Sequence, residues 1–236
     1  MSTPSPGVAV VSGAGSGLGR AIAIALAGRG HALALVGRRP VPLHETLAAA
    51  GGRGLAVAAD VRDPGALAAV AARVERDLGA VEVVVPAAGL TGVAPFLECP
   101  PAEFEAVIAT NLLGAANLAR AFLPALVARR RGTLVFLLSV AARRVFPSWS
   151  AYAASKWGLL GLVESLRAEL AGSGLRVVAV TPGATASPLW DRVPGEWDRS
   201  RMIPAGAVAD AVIWALGAGD GVAVEEIRLR PPAGDL

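Results

Sequence analysis

Along this chain, short runs of apolar and β-branched residues alternate with longer Ala/Leu-rich stretches. The short runs fall at residues 8–11, 32–36, 55–59, 81–85, 133–139, 176–181 and 224–229 and predict seven strands. The longer ones fall at 17–28, 43–50, 64–78, 101–128, 150–171 and 205–216 and predict six helices. Strand runs this continuously apolar belong to a sheet covered on both faces, as parallel sheets are. Alternation of the two kinds builds repeated βαβ units. The expected fold class is therefore α/β: a single doubly wound domain over residues 1–236, with a seven-stranded parallel sheet and helices on both faces. One long irregular stretch, at 182–204, interrupts the pattern, and stretches of that length are usually functional or mobile.

Composition sharpens this picture. Hydrophobic residues make up 54% of the chain and charged residues 17%, against about a half and about a quarter in ordinary soluble domains. A membrane span needs about 18 or more unbroken apolar residues. The longest candidate, residues 83–97, is cut by Pro86, Gly89, Gly92 and Pro95. The first residues lack the basic and apolar regions of a secretory leader, so a cytoplasmic protein without a membrane partner is expected. Cys99 is the single cysteine and has no neighbours at metal-ligand spacing, which excludes an intrachain disulfide and leaves no candidate metal site. The net charge is +3, and apart from Arg129, Arg130 and Arg131 the basic residues are scattered, so no nucleic-acid partner is expected.

In a doubly wound sheet, ligands bind beyond the carboxyl ends of the strands. The first strand runs into Ser12-Gly-Ala-Gly-Ser-Gly-Leu-Gly19 and then a helix. There Gly13 permits a tight turn, Gly17 admits a pyrophosphate to the backbone, and Gly19 lets the helix pack closely with its N–H groups facing the phosphates. After the second strand come Arg38 and Arg39 in place of an acid. Their forked donors suit a 2′-phosphate better than a 2′-hydroxyl, so NADP(H) is favoured over NAD(H). Asn111 falls inside a predicted helix, a poor place for asparagine without a reason. Ser139 closes the fifth strand. Tyr152 and Lys156, the only tyrosine and the only lysine of the chain, lie four residues apart and so on one helix face. A phenol with a pKa of about 10 is sluggish at neutral pH, and a neighbouring ammonium is expected to lower it toward the working range.

Together these residues resemble the short-chain dehydrogenase/reductase family. The glycine turn is similar to its T-G-x-x-x-G-x-G fingerprint, with Ser12 in place of threonine, and Ser139, Tyr152 and Lys156 match its catalytic set. The resemblance covers residues 7–231 and implies a Rossmann-type fold that transfers a hydride reversibly between nicotinamide C4 and a carbonyl or secondary alcohol. It implies Tyr152 as general acid/base, Ser139 as the group orienting the substrate oxygen, Lys156 as the residue that lowers the phenol pKa and holds the nicotinamide ribose, and Asn111 as a water-mediated link from Lys156 to solvent. It further implies a dinucleotide site made by Gly13, Ser16, Gly17, Leu18, Gly19, Arg38, Arg39, Asp60, Val61, Ala88, Gly89, Tyr152, Lys156, Pro182, Gly183, Thr185 and Ser187. Two departures stand out: Pro86-Ala87 replaces the usual Asn-Asn, and Ser187 replaces a threonine.

By the same resemblance, residues 184–203 form a mobile lid over the substrate. Phe146, Trp149, Trp190 and Trp197 would line an apolar pocket for a medium-sized carbonyl or alcohol, with Leu90 and Val93 on the opposite wall. Arg143, Arg144, Arg192 and Arg199 are candidates to receive an anionic group. Relatives assemble through the two long helices, so a homodimer or homotetramer is expected. The alternative is a non-catalytic NAD(P)-sensing protein on the same frame, which would have no need of the full Ser139, Tyr152, Lys156 and Asn111 set.

Overall fold

The structure, a computed structural model, describes residues 6–219, 221–232 and 234. The chain begins with β1 (Val8–Ser12), α1 (Gly17–Gly28), β2 (Ala32–Gly37), α2 (Pro40–Ala49), β3 (Gly54–Ala58), α3 (Pro64–Leu78) and β4 (Val81–Val85). Then come α4 (Pro101–Ile108), a π-helical turn (Ala109–Leu113), α5 (Gly114–Arg129), β5 (Gly132–Leu137), α6 (Ser150–Glu169) and β6 (Leu175–Pro182). The short strands β7 (Thr185–Ala186) and β8 (Ile203–Pro204) bracket the irregular stretch, and α7 (Ala205–Leu216) and β9 (Glu226–Leu229) follow.

Seven strands pair in the order β3-β2-β1-β4-β5-β6-β9, every pair parallel. Side chains of successive strand residues point to opposite faces, so β1 feeds two cores. Val8 and Val10 join Leu67 and Val70 of α3, Leu118 and Phe122 of α5, and Leu159 and Val163 of α6. Ala9 and Val11 join Ile22 and Leu26 of α1, Leu43 of α2, and Val208 and Val212 of α7. This double coverage is what the unbroken apolar strand runs require. Strand order reverses between β1 and β4, and at such a switch point the loops part and leave a crevice at the carboxyl ends.

The expected single helix over 101–128 is divided. The π-helical turn Ala109–Leu113 separates α4 from α5 and carries Asn111 inward, leaving it 1% exposed. Such wide turns are rare and cluster at functional sites. Just beyond it, Gly114 allows α5 to close on the end of β3: a Cβ there would stand 2.5 Å from Val61 Cγ2. Pro101–Arg129 is also the one described stretch long and apolar enough to cross a membrane, with hydropathy 1.4; here it packs on β4, β5, α3 and α6.

Candidate active site

Two adjoining clefts open at the switch point. The larger, about 310 Å³, is lined by the glycine turn, Arg38, Arg39, Asp60, Val61, the loop after β4, and Arg192. The other, about 180 Å³, is lined by Ser139, Tyr152, Lys156, Asn111, Pro182, Gly183, Thr185 and the aromatic residues Phe146, Trp149, Trp190 and Trp197. Leu18, Ala87, Ala88, Gly89, Ser187 and Leu189 line both, so the two form one continuous channel. All the residues singled out in the sequence as dinucleotide-binding or catalytic line it.

The glycine turn has the tightness a dinucleotide cradle needs. Gly13 has φ +64°, and a Cβ on it would stand 2.7 Å from the Ala88 backbone; a Cβ on Gly19 would stand 2.4 Å from Gly13 O. Any side chain at either position would push α1 away from β1 or from the loop after β4. The loss of Asn-Asn at Pro86-Ala87 is met by Ser12, whose buried hydroxyl accepts hydrogen bonds from Ala87 N (3.1 Å) and Ala88 N (3.2 Å). Ser12 therefore ties β1 to the wall shared by both clefts, a role the sequence had marked only as a replacement for threonine.

At the far end of the larger cleft Asp60 is engaged by Arg62, which donates to both carboxylate oxygens, the shortest contact being 2.6 Å. That hydrogen bond holds the Asp60 carboxyl below its ordinary range, with a smaller contribution from nearby Arg38. Arg38 and Arg39 are exposed and enter no ion pair among the described residues. With Asp60 neutralised by its own neighbour, the positive charge of Arg38 and Arg39 faces the cleft uncompensated.

Tyr152 and Lys156 converge as their helical spacing predicts: Lys156 Nζ lies 5.6 Å from the centre of the Tyr152 ring. Ser139 is hydrogen-bonded to the phenol and also accepts from Ala141 N at 3.2 Å. The expected electrostatics need correction. Burial raises the Tyr152 pKa, opposed only in part by the Ser139 hydrogen bond, and Lys156 does not bring it down. The reason is that Lys156 is itself desolvated: it is 7% exposed, its pKa falls from 10.5 to about 8, and its Nζ donates to Leu137 O at 2.8 Å. An ammonium turned toward the Leu137 carbonyl, with its pKa lowered by burial, does not offset the desolvation of the phenol.

Asn111 is held by hydrogen bonds from both ends of its amide. Its Oδ1 accepts from Leu90 N (2.8 Å), and its Nδ2 donates to Leu90 O (2.9 Å) and to Ser155 Oγ (3.0 Å). Its side chain is thus committed to fixing the loop after β4 against α6 and makes no direct bond to Lys156. Ser155, which in turn donates to Tyr152 O at 2.7 Å, is a member of this network that sequence reasoning passed over, although it stands immediately before the lysine.

The aromatic wall is a ladder. Trp149 meets Tyr152 edge-on with centroids 5.4 Å apart, Trp190 lies 6.1 Å from Trp149, and Trp197 lies 4.9 Å from Trp190. The opposite wall is not as expected: Leu90 lines the larger cleft, drawn there by Asn111, and Val93 lines neither. The candidate anion receptors are otherwise occupied. Arg143 pairs with Glu226, Arg199 with Asp191, and Arg144 lies over the Phe146 ring. Arg192 lines the larger cleft instead. Residues 184–203 fold into the β7·β8 pair and two short 3-10 turns beside the smaller cleft.

A glycine cradle running into a Ser–Tyr–Lys cleft is the architecture of a dinucleotide-dependent oxidoreductase. The chain belongs to the short-chain dehydrogenase family, whose model matches residues 7–196. It is 37% identical over 227 residues to 2-(R)-hydroxypropyl-CoM dehydrogenase of Xanthobacter autotrophicus, a match that covers 89% of this chain and 91% of that enzyme. It is 34% identical over 235 residues to glycine betaine reductase ATRR of Emericella nidulans, covering 95% of this chain but spanning only 18% of that much longer protein. Among solved structures, an alcohol dehydrogenase from the archaeon Thermococcus sibiricus complexed with 5-hydroxy-NADP matches with a TM-score of 0.87 at 30% identity, covering 98% of both chains. A metagenomic short-chain oxidoreductase in complex with NADP matches with a TM-score of 0.85 at 34% identity, covering 98% of this chain and 99% of that one.

Proposed function

We propose that this protein is an NADP(H)-preferring oxidoreductase that interconverts a carbonyl and a secondary alcohol on a medium-sized, largely apolar substrate. The observation that carries this reading is the convergence of Ser139, Tyr152 and Lys156 in a cleft continuous with the glycine cradle. The nicotinamide dinucleotide, when bound, supplies or accepts the hydride. Gly13, Ser16, Gly17, Leu18 and Gly19 would hold its diphosphate, Arg38 and Arg39 its 2′-phosphate, Asp60 and Val61 its adenine end, and Ala88, Gly89, Pro182, Gly183, Thr185 and Ser187 its nicotinamide end. The narrow glycine turn at the start of α1 and the uncompensated arginines fit such a group. The NADP in one related structure and the 5-hydroxy-NADP in another add support to the cofactor preference.

In the direction of reduction, Tyr152 donates its phenolic proton to the carbonyl oxygen while Ser139 donates a hydrogen bond that stabilises the developing negative charge. A phenol pKa raised by burial keeps Tyr152 protonated at neutral pH, the state that reduction needs. Lys156 orients the ribose and returns the proton, and Asn111 keeps the loop after β4 in place. The Trp149, Trp190 and Trp197 ladder excludes water and selects an apolar substituent, and residues 184–203 act as the lid. Exposed Leu113 (53%) and Trp157 (49%), at the junction with α5 and on α6, offer the apolar face for a homodimer or homotetramer, and the free Cys99 suits a cytoplasmic setting.

The test is an NADPH and NADH oxidation screen against aliphatic and aryl ketones and aldehydes, run beside Tyr152→Phe. Turnover with NADPH is expected, with a loss in the variant of about two orders of magnitude or more in kcat and unchanged NADPH binding by fluorescence. Cofactor binding without turnover of any carbonyl would overturn the reading.

A further inference from the structure

One carboxylate outside the described site bonds to the segments that lead into two of its walls. Glu226 sits on β9, opposite Ala179 of β6, with its side chain 16% exposed. Arg143 donates to it twice, from Nε at 3.2 Å and from Nη2 at 2.9 Å. Thr181 Oγ1 donates at 2.9 Å, and Arg228 Nη2 at 2.8 Å.

What these donors are attached to gives the contact its meaning. Ser139 caps the 3-10 turn Val140–Ala142, and Arg143 is the residue that ends that turn. The guanidinium of Arg143 therefore fixes the far end of the short segment whose near end presents the Ser139 hydroxyl. Thr181 is 2% exposed and immediately precedes Pro182-Gly183 on the nicotinamide side of the cleft. Isolated surface ion pairs contribute little, but a forked, partly covered carboxylate with a buried hydroxyl as an additional donor is a geometric constraint. Without it, Arg143 is released and the Thr181 hydroxyl loses its acceptor.

We propose that Glu226 is a positioning residue for the reaction, holding the Ser139-bearing turn and the end of β6 at a fixed separation through Arg143 and Thr181. It touches neither substrate nor cofactor and acts through Ser139, so the proposal rests on the role assigned to Ser139 above. A misplacement of even about 1 Å at such a group costs as much as two orders of magnitude in rate.

The test compares Glu226→Ala and the isosteric Glu226→Gln with the parent enzyme, using NADPH and the ketone turned over fastest in the screen. Glu226→Ala is expected to lower kcat about ten-fold or more, with the NADPH dissociation constant, read by fluorescence, within about two-fold of the parent. Adding Arg143→Ala to Glu226→Ala is expected to cost little more than the single change, because the two act as a unit. The limb on which alcohol oxidation rises with pH, as Tyr152 loses its proton, is expected to move to higher pH, since the Ser139 hydrogen bond is what restrains the rise of the Tyr152 pKa; a purely structural role would leave that limb in place. Glu226→Gln retains the shape and should fold where the alanine variant does not, with a smaller loss and a shift in the same direction. An unmoved limb, or a loss that only follows the folded fraction, overturns the proposal. Ser139→Ala separates the two readings: if it is inactive while both Glu226 variants keep full activity, the clamp alone fails, and if it is fully active, the role of Ser139 fails with it.

Discussion

At the scale of single residues, Lys156 is a costly side chain to bury. It is buried, its pKa is reduced to about 8 by desolvation, and its ammonium donates to Leu137 O. A basic group whose folded pKa lies below its unfolded value binds fewer protons when folded, so stability rises with pH across that interval. Here the interval runs from about 8 to 10.5. Below it the folded state carries the full penalty of burying the charge. Lys156→Met should therefore be more stable than the parent at pH 7, on the order of 1–3 kcal/mol less the lost Leu137 hydrogen bond, and melt at a higher temperature. The advantage should shrink as pH approaches 10.5, and thermal melts across that range check it. No gain at pH 7 would mean that burial does not lower the Lys156 pKa below its unfolded value. The sequence made the Tyr152 and Lys156 pairing legible through their spacing and their uniqueness, but not its electrostatics. Four-residue spacing fixes which groups meet, while the depth of burial, which decides the sign of a pKa shift, is set by the neighbouring β5, β6 and aromatic ladder.

Among the elements, the division between α4 and α5 carries the clearest lesson. Apolar periodicity made residues 101–128 look like one helix, and the boundaries of the other elements came out within a few residues because strands and helices of a two-faced sheet are written in their apolar runs. A π-helical turn leaves that pattern almost unchanged, so its only trace was an asparagine in an unfavourable place. Asn111→Ala removes three hydrogen bonds and strands the backbone N–H and C=O of Leu90. We expect a loss of about 2–4 kcal/mol in denaturant unfolding together with weaker NADPH binding, because the loop it holds lines both clefts. Unchanged stability would show that the loop keeps its place without it. Ser12 and Glu226 were illegible for a related reason: each matters through a partner 45 or more positions away, and no local pattern records such a distance.

For the molecule as a whole, charge and apolarity are separated along one channel. Arg38, Arg39 and Arg192 stand around the larger cleft, while three tryptophans and Phe146 surround the smaller. That arrangement admits a polyanionic ligand at one end and leaves the other for an uncharged substrate. Arg38→Asp should reverse the field where the 2′ group would lie, moving the ratio of kcat/KM for NADPH over NADH toward NADH by about ten-fold or more. An unmoved ratio would show that Arg38 does not read that group.

β9 has one further consequence, for the order in which the protein becomes competent. During synthesis, Ser139, Tyr152 and Lys156 leave the ribosome well before Glu226, and the strand that carries Glu226 follows α7 in the chain. A nascent chain stalled ahead of β9 would hold every chemical group of the cleft yet lack the brace between its walls. The full rate of turnover would then await completion of the sheet rather than the appearance of the catalytic side chains.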